Sequence, residues 1–401
     1  MSKVIFFSLP AYGHVNPSLP LVAEMIKRGE QVIYYSGNEF KTQIENTGAQ
    51  FRSYGEKLEQ LRAELDGKQG NLIFLSACFL QMCQSIVPEA LNQLQEDQPD
   101  YLIYDSMAIW GKIIAQKTGL PSICSITSFA IGDGLPDPQI LISLIKGLAH
   151  MKRFNTLSQQ LATALQLAPI GLRDIFVGNA DLNIVYTSES FQPNSQYLKG
   201  NYKFIGPSIA NRNEAVDINF GSNKRIIYIS LGTIFNDNLA FYNECFKAFG
   251  NTNDQVVLSV GKKINIDALQ NIPSNFIVRQ YVNQLEILQK ASLFITHGGM
   301  NSVSESLYFG VPLIVIPMSA DQPAIAKRVN ALGAGLYLEK RRANWKNLKQ
   351  SANLVLADES FKKNSMAIGD SFRASGGFKR GVDEIIAYKL RRMGNASLLH
   401  V

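Results

Sequence analysis

The sequence predicts an α/β protein of two domains, each built on a parallel sheet. Three observations predict it. Short apolar, β-branched runs alternate with longer helical stretches along the whole chain, the pattern of parallel strands joined by crossover helices. A polar stretch at 208–223, with Asn, Gly and charges, reads as a linker between two such series. The length of 401 residues makes two domains the expectation.

The first series runs in order. Residues 4–9 are an apolar strand, and 10–16 a loop. Pro17 suits the first turn of a helix reaching Arg28. Residues 31–36 form the next strand, 50–54 a short third, 101–104 and 122–125 two more. Residues 69–88 carry no charge, which is membrane-spanning length. They hold Asn71, Ser76, Gln81, Gln84 and Ser85, and Leu72, Leu75, Phe79, Met82 and Ile86 recur at helical spacing. A buried helix is expected there, not a membrane span. Residues 132–138, rich in Gly, Asp and Pro, read as a mobile loop, with helices to about Leu167. Strands at 183–187 and 202–205 close a first domain of 1–207.

The second domain, 224–376, opens with a strand at 225–233 and continues with strands at 255–260 and 276–280. The run 293–322 then holds its chemistry. Leu293 to Thr296 end a buried strand, and Gly298 and Gly299 form a tight turn. A helix follows at about 300–309, stopped by Gly310 and Pro312, and 313–316 is a further strand. The first N–H groups of that helix lack intrahelical partners and sit at the positive dipole end, which suits a phosphate. Asn301 and Ser302 add side-chain donors, and His297 can offer an imidazole N–H. Glu305 accepts only, which suits a ribose diol; Asp321 and Gln322, beyond the next strand, suit sugar hydroxyls.

Composition narrows the classes. Hydrophobic residues make up 46% and charged residues 18%, enough for substantial cores and too apolar for disorder. Residues 1–200 hold 15 basic and 18 acidic residues (−3), and 201–401 hold 24 and 15 (+9), so the basic half is the one with the anion-binding turn. A scattered solvated surface would give the same total. No basic–aromatic pattern suggests nucleic acid. Cysteines at 78, 83, 124 and 245 fit neither a disulfide framework nor a zinc spacing. They read as buried thiols of a reducing compartment. The start is too short and too soon broken by Pro10 for a signal peptide, so a cytoplasmic protein is expected. There is no G-x-G-x-x-G, no Walker A and no Asp-x-Asp pair.

Two polar residues of the first half stand where strands end. His14 lies in Ala-Tyr-Gly-His-Val-Asn-Pro after the first strand, and Asp105 follows the strand at 101–104. Both are expected at one sheet edge, where an Asp can orient a His as general base. A loop His capping a helix, and an Asp capping the next one, would read the same way locally. Met107, Ile109, Trp110, Ser128 and Phe129, with Phe79 and Met82 on the apolar helix, could line an acceptor pocket or simply fill the core.

His-Gly-Gly-x-Asn-Ser-x-x-Glu at 297–305, Gly-Val-Pro at 310–312 and Asp-Gln at 321–322 resemble the nucleotide-sugar signature of the family 1 glycosyltransferases. The likeness is to the bacterial macrolide and flavonoid UDP-glycosyltransferases and covers nearly the whole chain. It implies the GT-B fold: two Rossmann-like domains facing across a cleft, with a last helix at 377–392 returning to the first domain. It implies an inverting enzyme that moves a hexose, with glucose expected, from a UDP-sugar to a hydroxyl of a small hydrophobic acceptor such as a flavonoid, another phenol or a macrolide. His14 would be the base and Asp105 its partner. Ser230 and Gly299 would meet the pyrophosphate. Val282 and Gln284 lie where the family holds the uracil ring, though Asn283-Gln284 replaces the Pro-Gln of plant relatives, which bears on base identity. No metal and no cofactor is expected, and a monomer or weak dimer. Two other classes remain open at this point: a nucleotide-sugar 2-epimerase of the same architecture, and a non-catalytic sugar-binding protein.

Overall fold

The structure is a computed structural model that describes residues 2–55, 71–132, 144–145, 147–178, 180–210, 218, 224–233, 236–319 and 321–398, the last six without side chains. Most of the expected loop at 132–138 and of the linker at 208–223 lies outside the described residues, as do residues 69–70 of the apolar run. The chain divides into two compact units, Met1–Ser208 with Ser375–Val401, and Ile209–Ala374.

The first unit holds strands β1 Lys3–Phe7, β2 Gln31–Ser36, β3 Gln50–Ser53, β4 Tyr101–Asp105, β5 Ser122–Ile126, β6 Leu182–Val185 and β7 Tyr202–Phe204. Its helices are α1 Tyr12–Lys27, α2 Lys41–Glu45, α3 Leu72–Asp97, α4 Ile109–Thr118 and α5 Met151–Leu165. The second unit holds β8 Ile226–Ser230, β9 Gln255–Ser259, β10 Phe276–Arg279, β11 Ala291–Thr296, β12 Leu313–Val315 and β13 Gly335–Tyr337. Its helices are α6 Leu239–Phe249, α7 Gln284–Leu288, α8 Met300–Tyr308, α9 Gln322–Ala331, α10 Trp345–Ala357 and α11 Glu359–Ala374. The last helix, α12 Gly377–Leu398, returns to the first unit.

Both sheets are parallel throughout. Their orders are β3-β2-β1-β4-β5-β6-β7 and β10-β9-β8-β11-β12-β13. A parallel sheet needs helices on both faces, so its strands are apolar on both sides. β1 shows this: Ile5 and Phe7 join a core with α3, α4 and α5, while Val4 and Phe6 join one with α1, α2 and α12. The direction of winding reverses between β1 and β4, and between β8 and β11. Loops leaving the carboxyl ends of strands diverge there and open a crevice.

One expectation changes, and one is borne out. The segment at 10–16 is not all loop: α1 begins at Tyr12, with Pro17 and Pro20 inside it. Each proline removes one helical N–H bond, but Val15, Pro17, Ser18, Leu21 and Val22 are buried along this face, and packing outweighs local propensity. His14 therefore stands on the first helical turn. α3 is long and apolar enough to cross a membrane by composition, but its most apolar stretch is mostly buried and packs against α4 and α5.

α12 is held by apolar and ionic contacts together. Val382, Ile385 and Tyr388 enter the core beneath α1. Lys389 is ion-paired with the buried Glu30, whose second oxygen accepts from Tyr101 at 3.0 Å. Tyr388 and Arg392 both reach Asp181, at 2.7 and 2.9 Å. Lys389→Ala should strand the Glu30 carboxylate away from water, a loss of about 3 kcal/mol. An unchanged denaturation midpoint in urea would contradict the pairing; Glu30→Gln in the same background should recover part of the loss.

Candidate active site

In the second unit, the polar residues collect where β8 and β11 part. Thr296 is in register with Ser230, so the segments after both strands leave side by side. Gly298 has φ +89°, and a Cβ there would fall 2.5 Å from Val315 Cγ1, so the turn requires glycine. α8 then starts at Met300 without a side-chain cap. Its first N–H groups and dipole are of the kind that can receive an anion, and Asn301 and Ser302 stand partly exposed on that first turn.

His297 occupies a slot between two glycines. A Cβ on Gly232, which has φ +75°, would lie 2.5 Å from its Cε1, and one on Gly299 would lie 2.7 Å from its Nε2. Loss of water pushes its pKa down to about 4, against the opposing pull of the Ser230 carbonyl. The imidazole is neutral at pH 7 and has a single N–H. The Ser230 carbonyl competes for that proton, so a phosphate oxygen would have to claim it. Ser230 itself is buried, its Oγ accepting from Gly232 N at 3.3 Å.

Glu305 is 3% exposed and accepts from Gln284 Nε2 at 2.6 Å. Gln284 Oε1 in turn accepts from Tyr228 Oη at 3.2 Å. Val282 is buried two residues before Gln284, and the Tyr281 ring beside it is exposed. Asp321 stands exposed at the start of α9. Gln322 is buried, and its Oε1 accepts from Met318 N at 2.8 Å and Ser319 N at 3.1 Å. Its acceptor end is thus taken by backbone, and Nε2 is the end that can serve a ligand. Toward a sugar hydroxyl the amide is therefore a donor.

In the first unit, Phe7 is in register with Tyr104, which brings the start of α1 beside the end of β4. His14 Nδ1 lies 2.9 Å from Asp105 Oδ2. Asp105 is 1% exposed, and its Oδ1 accepts from Met107 N at 2.8 Å, which fixes the carboxylate plane. Thr127 Oγ1, just past β5, lies 3.0 Å from the same His14 nitrogen. Sequence reasoning missed Thr127 and Tyr228. A lone Thr after a strand and a Tyr within one carry no motif; only the strand order points to them.

Of the seven suggested acceptor residues, Met107, Ser128 and Phe129 keep exposed surface. Phe79, Met82, Ile109 and Trp110 do not: they are 0–2% exposed and belong to the core. The Trp110 indole donates to Tyr54 Oη at 2.9 Å, which satisfies its only polar atom inside. Among the described residues no group of three or more His, Cys, Asp or Glu is placed to hold a metal ion.

Two Rossmann-like sheets, a phosphate-type helix start in one and a His–Asp pair in the other define the nucleotide-sugar-dependent glycosyltransferases of the GT-B class. Comparison with known proteins agrees. The family model described as UDP-glucoronosyl and UDP-glucosyl transferase matches residues 140–373. The chain is similar to the uncharacterized UDP-glucosyltransferase YojK of Bacillus subtilis, at 36% identity over 96% of this chain and 97% of that one. It is also similar to the NDP-glycosyltransferase YjiC of the same organism, at 34% identity over 96% and 97%. The solved structure of the glycotransferase of kitacinnamycin superposes with a TM-score of 0.82 at 26% identity, covering 96% of this chain and 98% of that one. The chain belongs to the UDP-glycosyltransferases of family 1 and is an enzyme of that class.

A neutral His297 has a consequence for donor binding. A nearby negative charge raises an imidazole pKa, and from about 4 a rise of more than about two units would be needed to bring it into the physiological range. UDP-glucose does not itself titrate there, so its Kd, measured by calorimetry, should stay within about twofold from pH 6 to 8. Binding that tightens as pH falls, and loses that trend in His297→Gln, would show instead that a charged imidazolium forms.

Proposed function

We propose that this enzyme transfers a hexose, glucose by preference, from a UDP-sugar to a hydroxyl of a small hydrophobic acceptor such as a flavonoid, another phenol or a macrolide, with inversion at the anomeric carbon. The observation that carries the reading is the 2.9 Å contact between His14 Nδ1 and a buried, backbone-fixed Asp105. An ionised carboxylate accepts only, so it holds the proton on Nδ1 and leaves the lone pair on Nε2. Nε2 takes the proton of the acceptor hydroxyl. The oxygen attacks the sugar carbon opposite the UDP oxygen, that bond breaks, and the electron pair leaves with UDP. Asp105 stabilises the imidazolium formed. A phenol, with a reference pKa of about 10, is easier for a His near 6.5 to activate than an alkyl alcohol is.

In this reading the start of α8, Asn301, Ser302 and Ser230 meet the pyrophosphate, with His297 as a neutral donor. Glu305 and Gln284 take the ribose, and the Val282 backbone takes the uracil edge. The growing charge on UDP is met by fixed donors, and no divalent cation is needed. Met107, Ser128 and Phe129 supply the acceptor surface. The names of the UDP- and NDP-sugar enzymes among its relatives support the donor class, and the kitacinnamycin enzyme supports a natural-product acceptor. Four buried free thiols fit a reducing cytoplasm.

His14→Ala should lower transfer to a phenol by about 10²–10⁴-fold and leave UDP affinity as it is. Asp105→Asn should approach the same loss, because an amide can present its N–H to Nδ1 and select the wrong tautomer. A mass-spectrometric transfer assay beside a UDP titration checks both, and wild-type-like transfer by His14→Ala would remove the base from the mechanism.

The donor sugar is tested at α9. Asp321→Ala should weaken UDP-glucose recognition by about ten- to a hundredfold, the worth of a hydrogen bond to an ionised group. UDP alone should bind as before. Equal losses for both ligands, or a wild type that prefers UDP-galactose or UDP-N-acetylglucosamine, would refute the assignment of this pair to glucose.

A further inference from the structure

We propose that Tyr228 is a positioning residue for donor binding: its hydroxyl sets the Gln284 amide, and the amide holds Glu305 in the orientation that reads the ribose diol. The inference rests on the donor reading above and extends it to a residue inside the β-sheet.

The argument is one of forced polarity. Glu305, when ionised, can only accept. The Gln284 atom 2.6 Å from its Oε2 must therefore be the amide nitrogen. That choice turns the amide oxygen to Tyr228 Oη, 3.2 Å away, where the phenol must donate. The opposite flip would set a carbonyl oxygen against a carboxylate 2.6 Å away, so the three groups have one consistent arrangement. An ionised carboxylate accepts several hydrogen bonds at once, so it can meet ribose hydroxyls alongside the amide.

The phenol is well placed to impose this order. Tyr228 lies on β8 and is 2% exposed. Its ring stacks on Phe294 of the neighbouring strand, with centroids 4.5 Å apart and planes 11° from parallel. β8 and β11 thus clamp the ring, and the hydroxyl is delivered to the amide without freedom to wander. Gln284 is the first residue of α7, a helix of only five residues, capped by Asn283 accepting from Glu286 N at 3.3 Å. So short a helix does little by itself to fix a long side chain, and the phenol supplies the missing restraint.

Tyr228→Phe keeps the ring and its stacking and removes the hydroxyl alone. The readout is the ratio of affinities for UDP and 2′-deoxy-UDP, measured by calorimetry. Wild type should prefer UDP. The variant should lose about three- to tenfold in UDP affinity with little change for 2′-deoxy-UDP, so the preference shrinks. The KM for UDP-glucose should rise while kcat holds. Gln284→Leu should shrink the preference as well, and adding Tyr228→Phe to it should cost nothing further. Full preference in Tyr228→Phe, or an equal loss for both nucleotides, would overturn the role of Tyr228. A wild type that binds UDP without any preference over 2′-deoxy-UDP would instead remove Glu305 from the ribose, and this inference with it. A wild type that binds neither would sink the donor reading itself.

Discussion

A parallel sheet reverses its winding at one place, and this constraint decides where the chemistry of the molecule can be. In both units the reversal falls between two central strands, β1 and β4 in one, β8 and β11 in the other. Neighbouring strands there are in register, so whatever follows one lies beside whatever follows the other. Residues far apart in the chain meet as a result: His14 with Asp105, Ser230 with His297. No local motif could bring them together. Strand order does, and the side chains at those ends are free of the packing duty that makes the strands themselves apolar.

Much of this was legible beforehand, because strands buried on both faces leave a strong signal and glycines at forced turns leave another. The strand, glycine turn, helix and strand between 291 and 315 read almost completely from their spacing. Three kinds of feature did not. The start of α1 was hidden because Pro17 reads as a helix beginning, whereas burial of the neighbouring side chains carries the helix through it. The apolar residues around Trp110 could line a pocket or a core, and only the tertiary packing that buries them decides it, with Tyr54, 56 positions away, taking the Trp110 N–H. Thr127 and Tyr228 needed the direction of a single hydroxyl, which no periodicity encodes.

The slot around His297 shows how space, not attraction, can set a protonation state. The backbones of Gly232 and Gly299 come so close to the ring that neither residue could carry a Cβ. Burial of the ring lowers its pKa to about 4, so it stays neutral at pH 7. Specific donors, not net charge, are then left to hold an anion. The same preference for fixed dipoles over mobile charge recurs at Gln322, whose amide oxygen is pinned by two backbone N–H groups.

The return of α12 makes the first unit discontinuous in the chain. On a ribosome, 208 residues of that unit emerge, then all of the second unit, before the helix that completes it. Until then the faces of Leu21, Ile184 and Ile205 lack the cover of Val382 and Ile385, and Glu30 lacks Lys389. Vectorial synthesis usually lets the amino-terminal domain finish first. Here the order is inverted: the middle of the chain can close before its beginning does, and the unit that carries the His–Asp pair is the last to be complete.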